Sequence, residues 1–496
     1  MMNLLFVAAL AAAGVEAPAF YAGNDELRGL LLEAAENNPT LLARYETWRA
    51  ALERIPQVTA LDDPSLSYGQ FIQSESSRAR FAVSQSFPWF GTLRARGDKA
   101  AAEADAALQV FFAERNRVFA EVKKAYFEYA FLADAVLVTE AQSEVLEYME
   151  EVVESKLALG LANEDELLRV SMEKAQVRDR RDSYLQNKPA RMARLNEVLG
   201  RDVLEEIPWP QSTPLPPELP PAETVVARIT EANPDLKALD RLLESREHDI
   251  ELARKEGYPE FTAGLEYLAI SKPRQVGPDR ITADNLSTGY RLLNTFTGRM
   301  PFEPVNTAID AYGLATSREP MNYSDGGDDE IMLSFTLSVP VWRKRVKAGI
   351  EEARLLRRAA EHDKRGRELA LQASAQMAVF EAEDALRRYR LYRDTLVPQA
   401  EQTYESLQDQ YSAATGGADF LDLLESVQTL LAFELEQVRA SRDAQLAASD
   451  LEFLMGGPWL LNNGGSEPAS EGVSGQQAPY RITVRKSEHN ESEEDP

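Results

Sequence analysis

The chain has 496 residues, with 81 acidic against 54 basic side chains, a net charge of −27 and no cysteine. The length allows several domains and a large buried core, while the charge argues against a nucleic-acid backbone or an anionic lipid surface as main partner and favours cations. Without cysteine there are no disulfides, thiolate metal sites, cysteine nucleophiles or lipid-anchoring cysteine, a usage that suits an oxidising compartment.

Residues 1–22 read as a secretory signal peptide, because an apolar run from Leu4 to Val15 ends in Ala17-Pro18-Ala19, although no Lys or Arg precedes it. Past that segment no apolar run reaches the roughly 18 residues that a spanning helix needs. If the chain crosses a membrane, it does so with strands.

Two units follow, 23–206 and 224–457, joined by IPWPQSTPLPPELPPAE at 207–223, which is too rich in proline for helix or central strand. They match at fixed offsets. Adding 195 carries Asn38-Pro39 to Asn233-Pro234, Pro64 to Pro259 and Gly69 to Gly264, and adding 256 carries Gly160 to Gly416 and Gly200 to Gly456. An internal duplication explains these matches. Each unit opens with a helix at Asn-Pro, where Asn can cap and Pro fits the first helical position.

Strands come next, in pairs. Leu66, Tyr68 and Ile72, then Phe81, Val83 and Phe87, alternate with Ser65, Ser67, Ala82, Ser84 and Ser86. In the second unit Phe261, Ala263, Leu265 and Tyr267, then Ile331, Leu333, Phe335, Leu337 and Val339, alternate with small polar residues. One face is apolar and the other polar. Such a sheet can lie on a soluble core. Set in lipid, four strands are too few to close a barrel, which needs about eight, and open edges are prohibitive there. Membrane strands would therefore require several chains, and three would supply twelve.

From Asp98 to Leu159 there is neither Pro nor Gly, and Val118, Val122, Ala125, Tyr129, Leu132 and Val136 step by four and three, a coiled-coil seam. At 1.5 Å per residue that stretch makes a rod of about 90 Å. After Gly160 a helix returns towards Gly200, with a kink expected at Pro189; the second unit repeats this over Arg343–Ala414 and Asp419–Met455, with a kink expected at Pro398. The second hairpin carries an insert at 268–327 that the first lacks, and 458–496 form a polar tail expected to be disordered.

Nothing points to catalysis. His248, His362 and His489 lie far apart without metal-ligand spacing, no glycine-rich phosphate loop occurs, and the carboxylates fall in helical charge patterns. No catalytic residue, metal ligand or cofactor is expected.

The order of Asn-Pro helix, hairpin, SQSFPWFG, long helix, glycine turn, return helix and proline-rich linker, repeated once, resembles the TolC-type outer-membrane efflux channels over about residues 25 to 457. SQSFPWFG and the Asn-Pro landmarks look most like the cobalt-zinc-cadmium, heavy-metal branch. The resemblance implies a mainly α protein with β: a homotrimer with a twelve-stranded transmembrane barrel, four strands per chain, above a helical tunnel in the periplasm. It implies docking to a periplasmic adaptor and an inner-membrane pump, with heavy-metal cations as cargo, or alternatively drugs or exported proteins.

The resemblance puts Phe87, Trp89, Phe90 and Trp342 at the membrane interface. It makes Leu159, Gly160, Leu161, Gly416 and Gly417 the adaptor-contacting tip, and Asp422, Glu425 and Glu166 the acids of the gate. On spacing alone, Asp422 and Glu425 equally suit solvated acids near a helix start. A periplasmic coiled-coil scaffold without a channel is the competing structural reading. No cysteine stands where many members of the cation branch carry a lipid anchor, so anchoring would rest on the barrel.

Overall fold

The computed structural model describes residues 25–72, 77–210, 215, 219–270, 329–412 and 419–457. The expected signal peptide, Gly416 and Gly417, nearly all of the insert and the tail lie outside the described residues. In chain order the elements are α1 (Asp25–Asn37), α2 (Pro39–Thr59), β1 (Ser65–Gln70), β2 (Ser77–Phe87), α3 (Thr92–Ala158) and α4 (Glu164–Leu199). There follow α5 (Ala222–Ala232), α6 (Pro234–Lys255), β3 (Glu260–Ile270) and β4 (Glu330–Ser338). Then come α7 (Arg343–Leu391), a π-helical turn (Tyr392–Leu396), α8 (Val397–Ser412) and α9 (Phe420–Leu454).

Some boundaries differ from expectation. Each Asn-Pro helix is preceded by a short helix, and α5 takes Ala222 and Glu223 from the linker. Strand β3 takes 268–270 from the insert, while Ile72 and Val339 fall just outside their strands. Pro189 does not break α4, whose helix runs through it. Pro398 does disturb its helix. It has no N–H to offer, and the turn before it widens so that Val397 N donates to Tyr392 O five residues back.

The same junction occurs twice. The Asn38 side chain accepts from Thr40 N at 3.0 Å and Leu41 N at 3.1 Å, capping α2, while its Nδ2 donates to Val198 O at 2.8 Å at the end of α4. Asn233 does likewise, accepting from Asp235 N at 2.9 Å and Leu236 N and donating to Leu454 O at 2.8 Å at the end of α9. Both return helices close in a Schellman turn at a glycine of positive φ, Gly200 (+79°) and Gly456 (+81°). A Cβ on Gly200 would stand 2.5 Å from Asn37 O, and one on Gly456 would stand 2.8 Å from Ala232 O, so only glycine lets the helices meet.

Helices α3 and α4 form one long antiparallel pair, and α7 with α8 packs along α9. At 67 residues α3 is about 100 Å long. The core is strung along the rods. One cluster surrounds the first junction (Leu27, Val122, Tyr126, Leu195, Leu199), a second the other junction (Ile229, Leu236, Val379, Leu451), and a third lies near the far end (Met149, Val153, Val170, Phe420, Leu423, Val427). All six residues of the expected seam are buried. Between α3 and α9 the packing includes a buried ion pair, Lys123 with Glu452, and a hydrogen bond from Asn116 Nδ2 to Gly456 O at 2.8 Å.

The four strands form one antiparallel sheet in the order β1-β2-β3-β4. Its register aligns the apolar sets: Leu66, Val83, Leu265 and Leu333 in one row, Tyr68, Phe81, Tyr267 and Ile331 in the next. The row on the other side of Leu66 holds Ser65, Ser84, Gly264 and Ser334, with Ser65 and Ser84 hydroxyls 2.7 Å apart. The apolar face is uncovered, Phe335 being 75% exposed. β1 pairs only with β2 and β4 only with β3, so each keeps one unpaired edge.

The junction asparagines have a separable second role. Asn38→Asp and Asn233→Asp keep a capping oxygen but lose the donor to the buried carbonyl, and each should cost about 1–3 kcal/mol. Thermal unfolding of the purified protein checks this; an unchanged midpoint would show that the carbonyl bond contributes nothing.

Candidate functional site

At the end far from the sheet, α3 closes in a Schellman turn: Gly160 N donates to Leu157 O at 3.0 Å and Leu161 N to Lys156 O at 2.8 Å, with Gly160 at φ +74°. This satisfies the last carbonyls of a very long helix and turns the chain within a few residues. Leu159 is 73% exposed and Leu161 nearly as much, so the turn presents two leucines without cover. Helix α4 then starts at Asn163, whose N–H donates to the Glu166 carboxylate at 3.2 Å, as a capping box requires.

Glu166 has a second bond. Tyr411 OH, on α8, donates to its other oxygen at 2.9 Å. The Lys156 ammonium sits over the Tyr411 ring, 3.4 Å from its centroid, and donates to Tyr411 O. Burial, and then the Glu166 carboxylate, raise the Tyr411 pKa, so the phenol stays protonated and donating at neutral pH. Lys156, Glu166 and Tyr411 thus latch the first hairpin to the second.

Asp422 and Glu425 stand elsewhere. They follow Asp419, the residue just before the first turn of α9, and their spacing of three puts them on one face. Between them Leu423 and Leu424 are buried in the third core cluster, while both acids are exposed. They line a cleft of about 320 Å³ between α8 and α9, with Gln399, Thr403, Thr429 and Phe433. Leu396 of the π-helical turn also borders it. Of the three acids expected to act together, the structure therefore joins two. It assigns Glu166 to the cap and the latch, because an acid three residues after a capping Asn is drawn back to the helix start.

At the sheet end the aromatics gather. Phe87 stacks on Phe261 at 5.7 Å, Trp89 on Tyr258 at 5.2 Å, and Phe90 lies against Trp89 and Phe261 at 5.7 and 5.8 Å. Trp342 is 77% exposed at the position capping α7. Tyr258 and Phe261 complete a cluster of which the sequence signalled only the FPWF half. Lys255 Nζ donates to Phe90 O at 3.3 Å and Arg343 Nη1 to Gly257 O at 3.3 Å, fastening α6 and α7 to this end.

No protein-family profile and no curated protein matches the chain. Solved structures do. The outer membrane protein VceC of Vibrio cholerae superposes with a TM-score of 0.65 at 17% identity, over 88% of this chain and 97% of that one. The fold is that of the outer-membrane channels. CusC gives 0.65 at 14% identity, over 88% and 93%, and the outer membrane channel MtrE of Neisseria gonorrhoeae gives 0.62 at 15%, over 87% and 89%. In this channel fold the described residues hold no group of three His, Asp or Glu placed to bind a metal, and no helix among them is long and apolar enough to cross a membrane.

Proposed function

We propose that this chain is a TolC-type efflux channel of the outer membrane, working as a homotrimer with its helices in the periplasm. One observation carries the proposal: a four-stranded sheet with an uncovered apolar face and two unpaired edges, mounted on helices of about 100 Å. Lipid would cover that face. No edge can be left open in lipid, so β4 of one copy would pair with β1 of the next, and three copies would close a barrel of twelve strands. The serine-bearing rows then line the lumen. The repeated junction supports an origin by internal duplication.

In this arrangement Phe87, Trp89, Phe90 and Trp342 lie at the periplasmic edge of the barrel, where aromatics prefer the interface. Leu159, Gly160 and Leu161 form a tip for a periplasmic adaptor, which links the channel to an inner-membrane pump. Asp422 and Glu425 would repeat around the trimer axis as a ring that favours cations. The Lys156, Glu166 and Tyr411 latch holds the two hairpins of one chain together, so releasing it would let the tip widen. Heavy-metal cations are the proposed cargo, in keeping with the acidic ring and the net charge of −27.

Three measurements test this. First, the native mass of protein extracted from fractionated membranes should be that of three chains, in a heat-sensitive species of the outer-membrane fraction; a soluble monomer or dimer would favour the scaffold. Second, in planar bilayers Tyr411→Phe, which keeps the ring but loses the bond to a carboxylate, should shift the channel towards open states by about tenfold or more. Asp422→Ala with Glu425→Ala should lower cation preference, and unchanged selectivity would reject the ring. Third, cells lacking the protein should lose tolerance to zinc, cobalt, nickel or copper and not to dyes and detergents; the reverse pattern would assign the channel to drug export.

A further inference from the structure

The charge of the helix starts is not uniform along the molecule. Helices α4, α6 and α9 open with acids in their first turn, Glu164, Asp165 and Glu166 in the first of them, Asp235 and Asp422 in the others. That sign suits the helix dipole. Among the described helices only α3 and α7 open on cations with no acid, and these are the two that leave the sheet. Helix α3 has Arg94 in its first turn, and α7 begins Arg343-Lys344-Arg345, followed by Lys347. The dipole disfavours every one of them.

Arg94 pairs with Asp98 on its own helix, but ion pairing does not account for the cations that open α7. Further along α7, Arg354, Arg357 and Lys364 pair with Glu351, Glu247 and Asp240. Lys344, Arg345 and Lys347 are exposed and have no ion-pair partner among the described residues. They lie directly after Trp342, beside the aromatic cluster to which Arg343 and Lys255 fasten the helices, where the apolar face of the sheet ends. A chain of net charge −27 thus keeps a run of unpaired cations next to an exposed tryptophan, at one end of one helix.

We propose that Lys344, Arg345 and Lys347 bind the phosphate of anionic phospholipid headgroups in the leaflet that faces the helices, with Trp342 seated at headgroup depth. The proposal rests on the membrane placement given above. Charge complementarity selects the ligand: cations just outside an apolar band meet the plane of lipid phosphates, and an indole prefers that same depth. The site would fix the depth of each sheet from the side of the helices.

The test reconstitutes the full chain into vesicles of phosphatidylcholine mixed with phosphatidylglycerol, confirms insertion by flotation, re-extracts in mild detergent and counts retained lipids by native mass spectrometry. Wild type should retain phosphatidylglycerol over phosphatidylcholine. Each cation near an anionic surface contributes about fivefold, so the triple variant Lys344→Gln, Arg345→Gln, Lys347→Gln should lower that preference by roughly tenfold to a hundredfold. A control with Arg180→Gln and Lys237→Gln, exposed cations on α4 and α6, should keep it.

Retention by the triple variant equal to wild type overturns the proposal, as does equal loss in the control. If the triple variant keeps its lipid and loses anion permeability, the cations line the pore instead. If it falls apart in phosphatidylcholine alone, they pair with acids of a neighbouring copy, and the proposal again fails. Failure to float with vesicles would sink the membrane placement itself, which is read before any lipid is counted.

Discussion

The outward amides and carbonyls of β1 and β4 set the requirement that the rest of the molecule meets. A peptide group that has left water needs a partner, and each lost hydrogen bond costs as much as many of the packing contacts that hold a sheet together. One chain offers four strands and ends on two open edges. Its apolar rows, Leu66 to Leu333 and Tyr68 to Ile331, span the sheet from edge to edge without a break, so the pattern is made to continue into another sheet like itself. Nothing within the described chain covers that face. The helices run off one end of it instead of packing over it, which separates this sheet from one laid on a soluble core.

The helices meet a different requirement. A rod of about 100 Å cannot be stabilised by one central core, and its buried residues are accordingly divided among clusters spaced along it. What returns each long hairpin to register is the junction of Asn38 with Val198 O and of Asn233 with Leu454 O. Each asparagine serves as both acceptor and donor, and each facing glycine removes the Cβ that would hold the helix ends apart. Helix start and helix end are therefore locked by the same side chain, twice, in equivalent places.

Much of this was legible because it is local. The apolar parity of the strands, the Asn-Pro starts, the glycine turns and the seam from Val118 to Val136 all lie in short stretches whose period or cap reveals them. The short helices α1 and α5 were also present in spacing, with Leu27, Leu30, Leu31 and Ala34 at helical intervals. Asn163 followed three residues later by Glu166 is a capping-box signature, and the cap it foretells is formed. Tyr411 had no such signal. Its bond partner is 245 residues away in sequence, and only the packing of two hairpins brings them together. The second function of Asn38, across 160 residues, was hidden for the same reason.

In the proposed membrane placement, strand length decides where water begins. β2 and β3 have 11 residues each, about 37 Å along the strand, and tilted by about 40° they cover roughly 28 Å, the thickness of a hydrocarbon core and little more. No residues would be left over on the strands for the interface, so the boundary would fall on the segments that immediately follow them. Those segments are Pro88 to Gly91 and Val339 to Trp342, which carry the exposed aromatics and lead into the two helices that open on cations. A net charge averaged over the chain obscures this. The acids are spread along the rods, where water solvates them, and the unpaired cations stand where a surface of the opposite sign would begin.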